Sequence, residues 1–144
     1  MKNTYKILVF TFLFLINSNV FSQIYVNKEW ETTTGTVGTI DRTASTLDNN
    51  EDLIVVSNTL NTANNTDVLI TKYNREGNTL WQTTFNGTNN GDDYAVQVKV
   101  NSNNDIFVAS TIYGTSSNDF GILKYSENGT LVWSNTWNGS ANGI

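Results

Sequence analysis

Beyond residue 22 the chain reads as short apolar runs separated by gaps rich in Thr, Asn, Ser and Gly. No long stretch keeps a 3.6-residue apolar period, so strands rather than helices are predicted. Four strands are expected in the C-terminal part. Tyr94–Val100 alternates, with Val96, Val98 and Val100 on one face. Ile106–Ile112 is rich in β-branched and aromatic residues, and Phe120–Tyr125 and Thr130–Trp137 come after it. The same four are expected at about 43–47, 53–60, 68–73 and 79–85. Between the last two strands of the C-terminal set, Asn128-Gly129 is a strong hairpin signal, because a type I′ turn needs positive φ at both central residues.

The pattern repeats. Asp67, Lys72-Tyr73, Gly77, Trp81 and Asn86-Gly87 recur 52 residues later as Asp119, Lys124-Tyr125, Gly129, Trp133 and Asn138-Gly139. Gly91 and Gly143 keep the same spacing. Upstream, Asp52-Leu53 matches Asp105-Ile106 at a spacing of 53. A weaker echo sets Trp30 to Gly35 against Trp81 to Gly87. A unit of about 50 residues with four antiparallel strands has the size of a β-propeller blade. The inner runs Leu53–Val56 and Ile106–Ala109 are apolar at every position, as strands covered on both faces should be. A recurrent Trp suits a filler between adjacent sheets. A β-sandwich does not predict a unit that returns every 52 residues. The expected fold is therefore all-β: a partial β-propeller of two four-stranded antiparallel blades plus one leading strand. The expected boundaries are 1–22 for a signal peptide, 23–39 for the leading strand, 40–91 for the first blade and 92–144 for the second.

The segment 1–22 reads as an export signal. Lys2 and Lys6 precede an apolar run from Ile7 to Ile16, and Val20-Phe21-Ser22 ends in a small residue. Cleavage is expected after Ser22. The run is about half of the ~20 residues a membrane span requires. Removing its two lysines takes the formal charge from −5 to −7. A domain this acidic, with Arg42 and Arg75 as its only arginines, repels phosphate backbones, so nucleic acid is not an expected partner.

Composition closes several chemical routes. The chain has no His and no Cys. That removes zinc sites of the usual ligand types, Ser-His-Asp triads and disulfides. The acidic turns Asp48–Asp52 and Asn101–Asp105 offer oxygen ligands of the kind Ca²⁺ takes; the competing role is a self-capped hairpin turn. Trp81, Trp133 and Trp137 are expected in the core rather than on a sugar-stacking surface. Asp92-Asp93 would suit paired carboxylate chemistry only if both side chains faced one way, and neighbours on a strand do not. Lys72 and Lys124 are expected to pair with Asp67 and Asp119. Asn64, Asn86, Asn128 and Asn138 match the glycosylation sequon, which matters only in a eukaryotic secretory pathway. No catalytic residue, cofactor site or metal site is assigned.

At Asp105, Asp119, Lys124-Tyr125, Gly129 and Trp133, and at Asp52, Asp67, Lys72-Tyr73, Gly77 and Trp81, the chain resembles bacterial β-propeller repeats of the SBBP, or seven-bladed, type. The resemblance covers roughly residues 24–144. It implies an exported or surface-exposed protein and says little of a ligand. The Asn-rich, Cys-free style resembles secreted proteins of the Bacteroidetes, many of which use the type IX route. The Gly-x-x-x-Trp spacing is similar to quinoprotein propellers, but the rest of that motif is absent. Ser126 to Trp133 faintly resembles the Asp-box turn of sialidases, with Asn128 in place of the carboxylate. These features imply a secreted or cell-surface, non-catalytic binding and display scaffold, with a glycan or protein as ligand. The other expectation is an accessory propeller region of a longer secreted enzyme. Two blades leave apolar faces that need cover, either from further blades in cis or from self-association.

Overall fold

The computed structural model describes residues 43–138, which form strands and turns only. The segment expected as a signal peptide (1–22), the segment expected as a leading strand (23–39, with Trp30), and residues 139–144 lie outside the described residues. Among the described residues no helix is long and apolar enough to cross a membrane.

The first sheet contains β1 (Ala44–Leu47), β2 (Leu53–Leu60), β3 (Thr66–Tyr73) and β4 (Thr79–Phe85). The second contains β5 (Tyr94–Val100), β6 (Ile106–Tyr113), β7 (Asn118–Tyr125) and β8 (Leu131–Trp137). Each is a four-stranded antiparallel meander in sequence order. The registers superimpose: Lys72 stands opposite Ile54 and Trp81, as Lys124 stands opposite Phe107 and Trp133.

The sheets pack face to face. Ile54, Val56, Val68 and Ile70 of the first sheet meet Val98, Ile106, Val108, Leu123 and Tyr125 of the second in one buried cluster. The alternation of strand side chains explains the choice. Even-numbered residues of β2 and β3 face the second sheet, and even-numbered residues of β6 with odd-numbered residues of β7 face the first. Trp81 and Phe85 extend the cluster from β4.

One turn design builds both sheets. At 48–52, 61–65, 74–78, 101–105 and 126–130 the first residue's N–H donates to the fifth residue's carbonyl, and the fourth residue's N–H donates to the first residue's carbonyl. The fourth residue has positive φ each time: Glu51 63°, Asn64 63°, Gly77 82°, Asn104 61° and Gly129 82°. The first residue is Asp, Asn or Ser, whose side-chain oxygen accepts from the backbone inside the turn. Local capping of this kind is why such residues dominate the gaps. The 126–130 turn is thus not type I′. Its positive φ falls on Gly129 alone, and the extra residue is absorbed by a register shift at Lys124/Tyr125, the signature of a longer hairpin loop with a bulge.

A second departure lies in β5. A register shift between Ala95 and Gln97 takes Val96 out of the ladder. Ala95 and Val98 are buried and Val96 is 48% exposed, so Val96, Val98 and Val100 do not share a face. The inserted residue reverses which parity points inward.

Candidate functional site

The acidic turn of the first sheet surrounds a lysine. The Asp48 Oδ1 accepts the N–H groups of Asn50 and Asp52 at 2.9 and 3.0 Å. Its Oδ2 lies 2.7 Å from Lys72 Nζ, and Asp52 Oδ2 is 3.3 Å from the same atom. The lysine side chain is 5% exposed. Burial alone would raise the Asp48 carboxyl, but the Lys72 ammonium and the two turn N–H groups outweigh it and hold it below its ordinary value. Burial alone would lower Lys72; Asp48 and Asp52 outweigh it and raise it.

In the second sheet Asn101 replaces Asp48. Its Oδ1 makes the same two turn hydrogen bonds, to Asn103 and Asp105, and its Nδ2 donates to Asp105 Oδ2. Asp105 Oδ2 pairs with Lys124 at 2.9 Å. Lys124 also lies 5.6 Å above the Phe107 ring, within cation–π range. Both Asp48 oxygens, Asp52 Oδ2, Asn101 Oδ1 and Asp105 Oδ2 are thus engaged by ammonium groups or turn N–H groups. Among the described residues no group of His, Cys, Asp and Glu is arranged to hold a metal.

The lysine partners differ from the expected ones. Lys72 and Asp67 sit five residues apart on one strand, about 17 Å at ~3.3 Å per residue. Asp67 belongs to the opposite rim, where Asn61 Nδ2 donates to it and burial raises its carboxyl. Asp119 likewise opens β7, far from Lys124. The recurrence of Asp52/Asp105 together with Lys72/Lys124 was the available signal.

Asp92 and Asp93 lie just before β5 and diverge. Asp92 Oδ1 accepts from Thr66 N–H at 2.8 Å, while the fully buried Asp93 accepts from the N–H groups of Gly87 and Tyr113. The Asp93 N–H in turn donates to Thr66 carbonyl at 2.7 Å. Together they clamp the connection between the sheets. Burial pushes the Asp93 carboxyl up, the Asp92 charge adds to that, and the two N–H groups oppose it. Both carboxylate oxygens are occupied by backbone, which leaves none for a reacting group. Sequence reasoning missed this clamp; the recurrence of Gly87 and Gly91 in the next unit marked only its surroundings.

Trp81 is packed against the core and donates its indole N–H to Glu127 carbonyl at 3.1 Å. Gly129 lies beneath its ring, where a Cβ would come within 2.8 Å of the indole. Trp133 and Trp137 occupy the equivalent places on the far side of the second sheet, but they are 37% and 51% exposed. Trp133 meets Phe107 edge-on at 6.3 Å and Trp137 lies 5.7 Å from Phe120. The expected core role thus holds for Trp81, whereas the other two lie on a face that is uncovered among the described residues. The sequon residues Asn64, Asn86 and Asn128 are exposed on loops.

At the rim near Asp93, the 61–65 turn, the inter-sheet connection and the β6–β7 hairpin border an open cavity of about 540 Å³. No protein-family model matches the chain, and a search of curated proteins finds no match either.

Proposed function

We propose that the protein is a secreted or cell-surface repeat protein in which the two sheets are blades of a β-propeller that serves as a non-catalytic binding and display scaffold. One packing face, used twice, carries this proposal. Ile54, Val56, Ile70, Lys72 and Trp81 of the first sheet are covered by the second. Their counterparts Phe107, Ala109, Ile122, Lys124 and Trp133 line the far side of the second sheet, where Trp133, Trp137 and Phe120 stay exposed. A face built for a neighbour suits a stack that continues, through further blades or through self-association. The polar inventory agrees: among the described ion pairs and buried carboxylates, each is committed to the framework.

The test is the mass and N-terminal sequence of the secreted natural product, with its size in solution. A start at Gln23, and a particle in which the Trp133 fluorescence is shielded from quencher, are expected. A product beginning at Met1, or a lone monomer with Trp133 open to quencher, overturns the proposal.

A further inference from the structure

The cavity at the inter-sheet rim is lined by side-chain amides and phenols from three separate loops. Asn65 comes from the β2–β3 turn, Asn89, Asn90 and Tyr94 from the inter-sheet connection and its strand, and Tyr113 and Asn118 from the β6–β7 hairpin. Among the described lining residues Asp92 is the one charged group, and its Oδ1 already accepts the Thr66 N–H. Among the described residues no lysine or arginine lines it. At about 540 Å³ it falls in the range of small-ligand sites.

Two features separate it from an ordinary polar crevice. The first is that its loops are tied together before any ligand arrives. The Asn65 amide donates to Asn90 carbonyl, Asn89 Nδ2 donates to Tyr113 carbonyl at 3.2 Å, and Asp93 holds the N–H groups of Gly87 and Tyr113. Tyr113 is seated against Gly91, where a Cβ would fall 2.1 Å from the ring, yet the residue is 39% exposed. Asn65, Asn89 and Asn90 each commit one end of the amide to the framework and keep the other end to offer. Little ordering remains to be done on binding.

The second feature is that most lining residues break the repeat. Gly91 recurs as Gly143 and Asn90 as Asn142, in keeping with a framework role. Tyr113 stands where the first sheet has Leu60, Asn118 where it has Thr66, and Asn89 where the next unit has Ala141. At the Tyr113 and Asn118 positions the first sheet forms the same strand pair with Leu60 and Thr66.

We infer that this cavity binds an uncharged sugar of a glycan, with the exposed part of the Tyr113 ring against the apolar C–H face and the free amide ends of Asn89 and Asn118 on hydroxyls. Amphipathic phenols suit a ligand that is apolar on one side and hydroxylated at its edge. The absence of cations among the described lining residues disfavours phosphate, sulfate and sialic acid. The inference refines the scaffold proposal by naming a ligand class, and it fails separately from it, because secretion and sheet stacking do not depend on Tyr113.

The test is titration of the full chain, isotopically labelled, with maltotriose, cellotriose, mannotriose and, for contrast, sialyllactose. At least one neutral trisaccharide should shift the amide signals of Asn89, Asn90, Tyr113 and Asn118 and leave those around Trp133 unmoved. Tyr113→Ala should weaken that binding at least tenfold, Asn118→Ala about threefold to tenfold, and Tyr113→Phe about twofold or less. The Asn118 side chain is exposed, so its variant keeps the test open if Tyr113→Ala fails to fold. Tighter binding of sialyllactose, shifts confined to the Trp133 and Trp137 face, or no binding by any of the three neutral sugars would overturn the inference.

Discussion

The two sheets carry a lysine and two aromatics at matching positions and share their first and last turns, yet among the described residues only the first sheet has its lysine and aromatics covered. Lys72 is 5% exposed between two carboxylates; Lys124 is 22% exposed beside one. In β4 the alternate residues Trp81, Thr83 and Phe85 are half-buried, while every residue of β8 is exposed. The sequence of β8 is if anything more aromatic, so the difference is not one of local propensity. It arises because the second sheet lies on the first, and among the described residues nothing lies on the second. The comparison teaches that this repeat encodes an interface rather than a self-sufficient sheet. A residue's energetic weight is then set by whether its neighbour is present.

Truncating the equivalent tryptophans should expose that asymmetry most. Trp81→Ala removes the indole stacked on Gly129 and its hydrogen bond to Glu127. It should cost about 4 kcal/mol, the usual size for a packed Trp. Trp133→Ala should cost about 1 kcal/mol or less in a chain whose second sheet has no neighbour, since its ring is then partly solvated, and should approach the Trp81→Ala loss once the proposed neighbour covers it. Urea unfolding of the two variants measures both. Equal losses would mean that Trp133 is covered in solution.

The lysines come next. Lys72→Met strands Asp48 and Asp52 in a buried site, and breaking such a pair costs about 3 kcal/mol. Lys124→Met removes a partly exposed pair and should cost no more than about 0.5 kcal/mol. Raising the salt concentration should shrink the second loss and leave most of the first.

The contrast also requires the second sheet to stay on the first, and Asp93 is the test of that. Asp93→Asn supplies one acceptor where two backbone N–H groups need one each, so the Gly87 or Tyr113 N–H meets an amide donor. A buried unsatisfied donor costs about 2 kcal/mol. Hydrogen exchange should then quicken at Ala95 and Val98, the inner edge of the interface, before it quickens in β7. Unchanged exchange there would show that the apolar cluster alone holds the sheets.

Much of this architecture was legible. All eight strands follow from apolar runs between Asn- and Gly-rich gaps, because period-2 burial and turn chemistry act locally. The bulge at Val96 was not legible, since an extra residue in a ladder leaves the valine spacing intact. The lysines pair with the other rim from the one expected, with Asp48, Asp52 and Asp105 in place of Asp67 and Asp119. In an antiparallel sheet, residue 72 is nearer to the turn at 48–52 than to residue 67 of its own strand. The buried clamp at Asp93 and the cavity beside it join loops from both sheets, which no pattern within one repeat unit records.

The finest test exchanges the one residue by which the two turns differ. In Asp48→Asn the new amide should copy Asn101, with Oδ1 on the N–H groups of residues 50 and 52 and Nδ2 on Asp52. The turn survives, Lys72 keeps Asp52, and the loss at pH 7 should be about 1 kcal/mol. The pH dependence identifies its origin. The folded pKa of Asp48 is depressed below 3.8, so its stabilisation is fully present above that value and is lost as pH falls through the folded pKa. Asp93 works in the opposite sense, since its raised folded pKa makes it stabilise as pH falls, but it is common to both chains and cancels in their difference. The gap between wild type and Asp48→Asn should therefore close below pH 3.8, measured by urea unfolding at pH 7 and pH 3. The reverse exchange, Asn101→Asp, adds a carboxylate beside the more exposed Lys124 and should change stability by no more than about 0.5 kcal/mol. If Asn101→Asp stabilises by as much as Asp48→Asn destabilises, the second carboxylate has the same value in both sheets, and cover is not what separates them.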